Sequence, residues 1–198
     1  VSGRSNITVK NLNVTDFSVG LYFDFVNNSL IENLTANSNT DGGINILSSS
    51  SNYISNITVS FNDFRGIILS SSSNNNLSNI ITNYNYYGIY VQSSSNNNRL
   101  SSIMASSNSN GITLFFSSNN SIQDSIVNAS LRDAVSISVG SIDNLLRNII
   151  ITNTNFSFYD LFFATGVNGN QFVDMPHIGN YSFTGDGGTI IVKNSQFG

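Results

Sequence analysis

The segment Ser55–Leu77 reads SNITVSFNDFRGIILSSSSNNNL, and its pattern returns along most of the chain. Ile57 belongs to the series Leu34, Ile57, Ile80, Ile103, Ile126 and Ile149, in which every interval is the same. Ile67 belongs to a second series, Leu21, Ile44, Ile67, Ile89, Ile112, Val135 and Leu161, with intervals of 23, 23, 22, 23, 23 and 26. Two residues after each of these stand Phe23, Ile46, Leu69, Val91, Leu114, Ile137 and Phe163, the inward alternation of a strand. Gly20, Gly43, Gly66, Gly88 and Gly111 precede the second strand, with Ala134 in the next repeat, where a bend needs unusual dihedrals or close backbone approach. A third apolar position, Ile31, Ile54, Leu77 and Leu100, precedes the first strand.

Each repeat therefore reads as one coil of three short extended segments and three corners. The polar runs Ser48–Asn52, Ser70–Asn76, Ser93–Asn98 and Ser117–Ser121 hold a fixed place in the repeat, which marks them as structured corners rather than linkers. Asn39, Asn62, Asn85 and Asn108 recur once per repeat and predict an amide ladder at the ~4.8 Å spacing of stacked strands. Helical repeats are excluded by the β-branched, Asn and Ser content, and the leucine-rich consensus is absent.

This repeat resembles the right-handed parallel β-helix repeats of the pectate-lyase-like superfamily, and most of all NosD-type repeats of microbial surface proteins. The resemblance covers about residues 6–165. It implies an all-β fold, a single-stranded right-handed parallel β-helix of about seven coils of ~23 residues. Residues 1–165 form the helix, and 166–198 are a capping or strand-exchange segment of the same domain, ending in a strand.

Composition narrows the function classes. Charged residues make up 9% of the 198, and a net charge of −4 with scattered Lys and Arg offers nucleic acid no basic patch. Cysteine is absent, and no apolar run approaches the ~20 residues of a membrane span. The chain opens directly in a strand-like segment, as expected of a mature product or an excised piece. An extracellular or cell-surface location is expected, with N-x-S/T sequons at Asn6, Asn13, Asn27, Asn33, Asn56, Asn76, Asn119, Asn128, Asn155 and Asn180.

Polysaccharide lyases and hydrolases of the resembling superfamily work with clustered carboxylates and basic side chains. Here Asp41, Asp63 and Arg65 fall at one corner of adjacent coils, and Arg132 and Asp133 occupy that corner roughly 14 Å further along. The same residues also read as a solvated charged rim. Phe61 and Tyr84, like Phe64 and Tyr87, are one repeat apart, and with Tyr86 they predict an exposed aromatic patch. Such a patch suits sugar stacking, a protein contact, or plain stacking between coils. The NosD resemblance raises copper, yet the chain offers only His177, Met175 and Met104, so no metal and no cofactor is expected.

A β-helix has two open ends. Ile7 and Val9 at the entry, and Ile190, Ile191 and Val192 at the exit, are strand-like without a capping helix. The leading expectation is therefore a non-enzymatic structural protein that polymerises with itself through these strands into a fibre or surface layer. The alternatives are a polysaccharide lyase or glycoside hydrolase of the β-helix type, and a carbohydrate-binding adhesin with glycan partners.

Overall fold

The computed structural model describes residues 1–129, 131–153, 157–176, 178–184 and 189–196. Among them the chain winds as a right-handed parallel β-solenoid of two sheets. The first sheet stacks β1 (Thr8–Thr15), β3 (Leu30–Asn37), β5 (Tyr53–Ser60), β7 (Asn76–Asn83), β9 (Arg99–Ser106), β11 (Ser121–Ala129), β13 (Leu145–Asn153), β15 (Asn170–Val173) and β17 (Ile190–Lys193). The second stacks β2 (Val19–Asp24), β4 (Gly42–Leu47), β6 (Arg65–Ser70), β8 (Tyr87–Gln92), β10 (Asn110–Phe115), β12 (Val135–Ser138), β14 (Leu161–Phe163) and β16 (Tyr181–Phe183). One strand of each makes a coil, and both ladders continue through β15, β16 and β17 in the C-terminal segment.

The expected three segments per coil become two ladders, because the third corner lies inside a long strand. It is made by a single left-handed residue: Asn11, Asn33, Asn56, Asn79, Ser102, Asp124 or Asn148, with φ between 49° and 55°. Asn and Asp tolerate this region because their short polar groups bond locally. The sequons Asn33 and Asn56 lie in this row, each giving its side-chain amide to the Asn of the coil before at 3.2 Å.

Between the sheets runs one core of stacked Ile, Leu, Val and Phe, with Leu34, Ile57, Ile80 and Ile103 in one column and Ile44, Ile67, Ile89 and Ile112 in another. Ile126 departs from the expected series. The corner of the fifth coil is one residue shorter, so Ile126 pairs with Met104 on the outer face. A one-residue slip exchanges the faces of a strand. Buried Ser125 takes the inward place, accepting from the Ile103 N–H and donating to the Gln123 carbonyl.

The expected amide ladder is present, running Asn39 to Asn62 to Asn85 to Asn108 at 2.9, 3.0 and 3.1 Å. A longer ladder, not singled out in the sequence, fills the opposite corner: Asn52, Asn75, Asn98, Asn120, Asn144 and Asn170. Within it Asn75 donates to the Ser49 carbonyl and to Asn98, while its Oδ1 accepts both the N–H and the amide of Asn52. Gly20, Gly43, Gly66, Gly88 and Gly111 act through space rather than dihedral freedom. A Cβ on Gly66 would stand 2.5 Å from the Gly88 carbonyl oxygen and 2.4 Å from Thr82 Oγ1.

Asn75→Ala strips several buried partners at once and should lower stability by about 3 kcal/mol. Asn79→Gly, in the exposed row, removes an amide without straining the left-handed backbone and should cost less than about 1 kcal/mol. Urea midpoints check the contrast, and equal shifts would contradict the buried ladder as the main tie.

Candidate functional site

The exposed aromatic patch sits at the corner between the first sheet and the second, in the third and fourth coils. Phe61 and Tyr84 stack with centroids 4.7 Å apart and planes within 9°. Phe64 and Tyr87 meet edge-on at 5.8 Å instead of stacking. The fourth coil is one residue shorter here, so Tyr87 pairs with Arg65, and Tyr86 becomes the neighbour of Phe64 at 5.7 Å.

The tract extends beyond the five expected rings. Tyr87 stacks on Tyr90 at 4.7 Å, Tyr90 approaches Phe115 at 6.5 Å, and Phe115 meets Phe116 edge-on at 4.7 Å. Tyr90 and Phe115 occupy outward positions of β8 and β10, alternating with buried Ile89, Val91, Ile112 and Leu114. The strand alternation carried the signal for both. Asn45 and Thr113 share the outward row of Tyr90, and their Oδ1 and Oγ1 are buried without a hydrogen-bond partner.

The charged candidates separate into different roles. Arg65 pairs with Asp41 at 3.4 Å and lies 4.0 Å over the Phe64 ring. Asp133 accepts the Tyr159 N–H at 3.0 Å, tying its corner to the next coil. Arg132 reaches over the rings of Tyr86 and Phe158, 5.8 and 5.9 Å from their centroids. The Asp63 carboxylate has no hydrogen-bond or ion-pair partner among the described residues. It lines a groove of about 490 Å³ with Phe61, Tyr84, Tyr86, Ser109 and Leu131. The small Ser107 and Ser109 floor this groove between the bulky corners of the fourth and sixth coils, just where the Asn39–Asn108 ladder ends.

Burial raises the Asp133 pKa, opposed by the Tyr159 N–H and the Arg132 charge. Burial, reinforced by neighbouring tyrosines, likewise raises Tyr87 and Tyr90 against the opposing arginine charge. Both phenols therefore remain hydroxyl donors at neutral pH.

A family model described as periplasmic copper-binding protein (NosD) matches residues 1–103. The chain belongs to the NosD family. Its fold is similar to the mannuronan C-5 epimerase AlgE6 A-module of Azotobacter vinelandii, at 16% identity and a TM-score of 0.84 over 98% of this chain and 58% of that one. It is similar to the periplasmic alginate epimerase AlgG at 16% identity and 0.80, over 95% of this chain and 50% of the other. A glycoside hydrolase matches at 11% and 0.62, over 89% and 38%. This chain thus spans between 38% and 58% of the length of these solved structures. No curated protein sequence matches it.

These likenesses overturn the expected fibre joined through Ile7, Val9, Ile190, Ile191 and Val192, since these solved structures that share the fold are named as epimerases and a glycoside hydrolase. Ile7, Val9 and Ile190 are also partly buried against the chain's own core, which leaves them less to offer a neighbour. The family's periplasmic description fits an envelope or extracellular location, and no helix among the described residues is long and apolar enough to cross a membrane.

Among the described residues the donor set does not fit copper. Among the described residues no three His, Cys, Asp or Glu converge. Met175 is buried in the core, and Met104 stands in an apolar outer row between Ile81 and Ile126. His177 and the sequon Asn155 lie outside the described residues.

The raised pKa of Asp133 has a direct consequence for stability. The folded state favours its proton, so this contribution is full below the ordinary aspartate value of about 3.9 and is lost as pH rises through the elevated one. Asp133→Asn should hold melting temperature more nearly constant over that interval than the parent does. Parallel pH profiles for the two proteins would contradict this.

Proposed function

We propose that this chain is a carbohydrate-active β-helix enzyme that lays an acidic polysaccharide along the aromatic corner and removes the C5 proton of a uronic acid unit. The observation that carries the reading is the unpartnered carboxylate of Asp63 inside a groove walled by exposed aromatic rings. Stacked Phe61 and Tyr84 offer a flat apolar face for a sugar ring, and Tyr86 bounds the same groove. The epimerase folds that this chain resembles support chemistry at that carbon.

The roles follow from charge and position. The Arg132 guanidinium, over Tyr86, takes the sugar carboxylate and stabilises the negative charge that develops when the C5 proton leaves. Asp63 accepts that proton. The Tyr86 phenol supplies a proton, either to a departing glycosidic oxygen or back to C5. Asp133 is spent on the Tyr159 backbone and positions its corner, and Asp41 is spent on Arg65. Hydrolysis by paired acids is less well served. Asp63 and Asp133 are roughly 14 Å apart along the stack, beyond the span that two-carboxylate glycosidases use. Such a polymer places the protein at the cell surface, where occupied sequons would keep its low-charge exterior soluble.

Incubation with alginate or pectate in deuterated water tests this. Deuterium at C5 or an unsaturated uronate product is expected from the parent, falling at least about 100-fold in Asp63→Asn at unchanged melting temperature. Equal turnover by Asp63→Asn, or neither exchange nor unsaturated product with either polymer, would overturn the reading.

A further inference from the structure

A second groove, of about 550 Å³, lies away from the aromatic corner, where the opposite corner feeds into β3, β5 and β7. Tyr53 is its most prominent wall, 61% exposed. In the outward row of the first sheet Tyr53 stands between Leu30 and Asn76, and Ser55 and Ser78 follow two residues on in their strands. The groove is lined by amides, hydroxyls, the Tyr53 ring and the apolar Ile7, Leu30 and Ile54, with no charged side chain among them. The nearby charges Lys10 and Glu32 are spent on each other at 2.8 Å, and Arg99, which follows Asn76 in the same row, donates to the Gln123 side-chain oxygen at 3.4 Å.

One atom is out of balance. Asn76 Oδ1 is buried and has no hydrogen-bond partner. A buried acceptor in that state is costly and gains from any donor that reaches it. A carboxylate or phosphate would meet this oxygen with repulsion, and a cation would find no counter-charge in the lining. A sugar hydroxyl satisfies it once the Asn76 side chain turns toward the groove it lines, with Ser55 and Ser78 beside it to bond neighbouring hydroxyls. The exposed face of Tyr53 is left for the apolar face of the ring.

We infer that this groove is a binding site for a neutral saccharide, separate from the acidic-polymer site at the aromatic corner. Tyr53 is the stacking platform, and the Asn76 carbonyl is the acceptor that orients the sugar. The assignment requires an unmodified Asn76, although that residue heads a sequon.

The test is amide NMR of the full chain, made without glycosylation and titrated separately with cellohexaose, mannohexaose and xylohexaose. At least one should shift the amides of Ser55, Asn76 and Ser78. Tyr53→Ala should weaken that binding about tenfold or more, while Tyr53→Phe retains it. Tyr84→Ala should leave it intact, so a failure of the corner site is read separately. The exposure of Tyr53 makes its replacement tolerable to the fold, and an unchanged amide spectrum outside the groove checks this. No shift at these amides with any of the three sugars, or equal binding by Tyr53→Ala, overturns the inference.

Discussion

Every feature of this molecule depends on the buried asparagines that repeat at the rise of one coil. A corner in a solenoid turns its backbone out of both sheets and would leave N–H and C=O groups unpaired in the interior. Asn75 answers this with one side chain. Its Oδ1 takes the N–H and amide of Asn52, and its own amide reaches the Ser49 carbonyl and Asn98. The same arrangement holds the coil spacing from Asn52 to Asn170, so the apolar columns meet in register. With the corners fixed from inside, their outer residues are released from structural duty.

The aromatic corner uses that release. Asn62 and Asn85 point inward and hold the bend, while Phe61, Asp63, Tyr84 and Tyr86 beside them face outward on a rigid support. Small departures from the repeat then shape the groove. The shortened fourth coil moves Tyr87 opposite Arg65 and brings Tyr86 to Phe64. The end of the Asn39–Asn108 ladder lets the corner of Leu131 and Arg132 take its own course, and the serines of the fifth coil are left as a floor. A rigid scaffold with local irregularities is a suitable frame for a site that must hold reacting groups in place.

The fold was legible because a constant repeat with inward alternation admits few architectures. Asn39, Asn62, Asn85 and Asn108 could be read as a ladder from spacing alone. The Asn52–Asn170 ladder was hidden inside runs of Ser and Asn, where composition does not reveal which amide faces in. Ile126 and Tyr87 were misplaced for one reason: a coil shortened by a single position breaks simple addition of the repeat, and one residue decides the face of a strand. The aromatic corner of Phe61, Phe64, Tyr84 and Tyr87 was legible from spacing, with Tyr86 beside them, although Tyr87 fell one position from its expected partner, whereas Tyr90 and Phe115 required the strand alternation. The different fates of Asp41, Asp63 and Asp133 depend on partners in other coils, Arg65 and Tyr159, and only the three-dimensional stack supplies those.

The most direct measurement is amide hydrogen exchange with and without a bound acidic oligosaccharide. Exchange should slow at residues 61–64, 84–87 and 131–133, with the exposed edges of β1 and β17 unchanged. Slowing confined to those edges, or none at the corner at saturating ligand, would contradict a polysaccharide site on the flank of the helix.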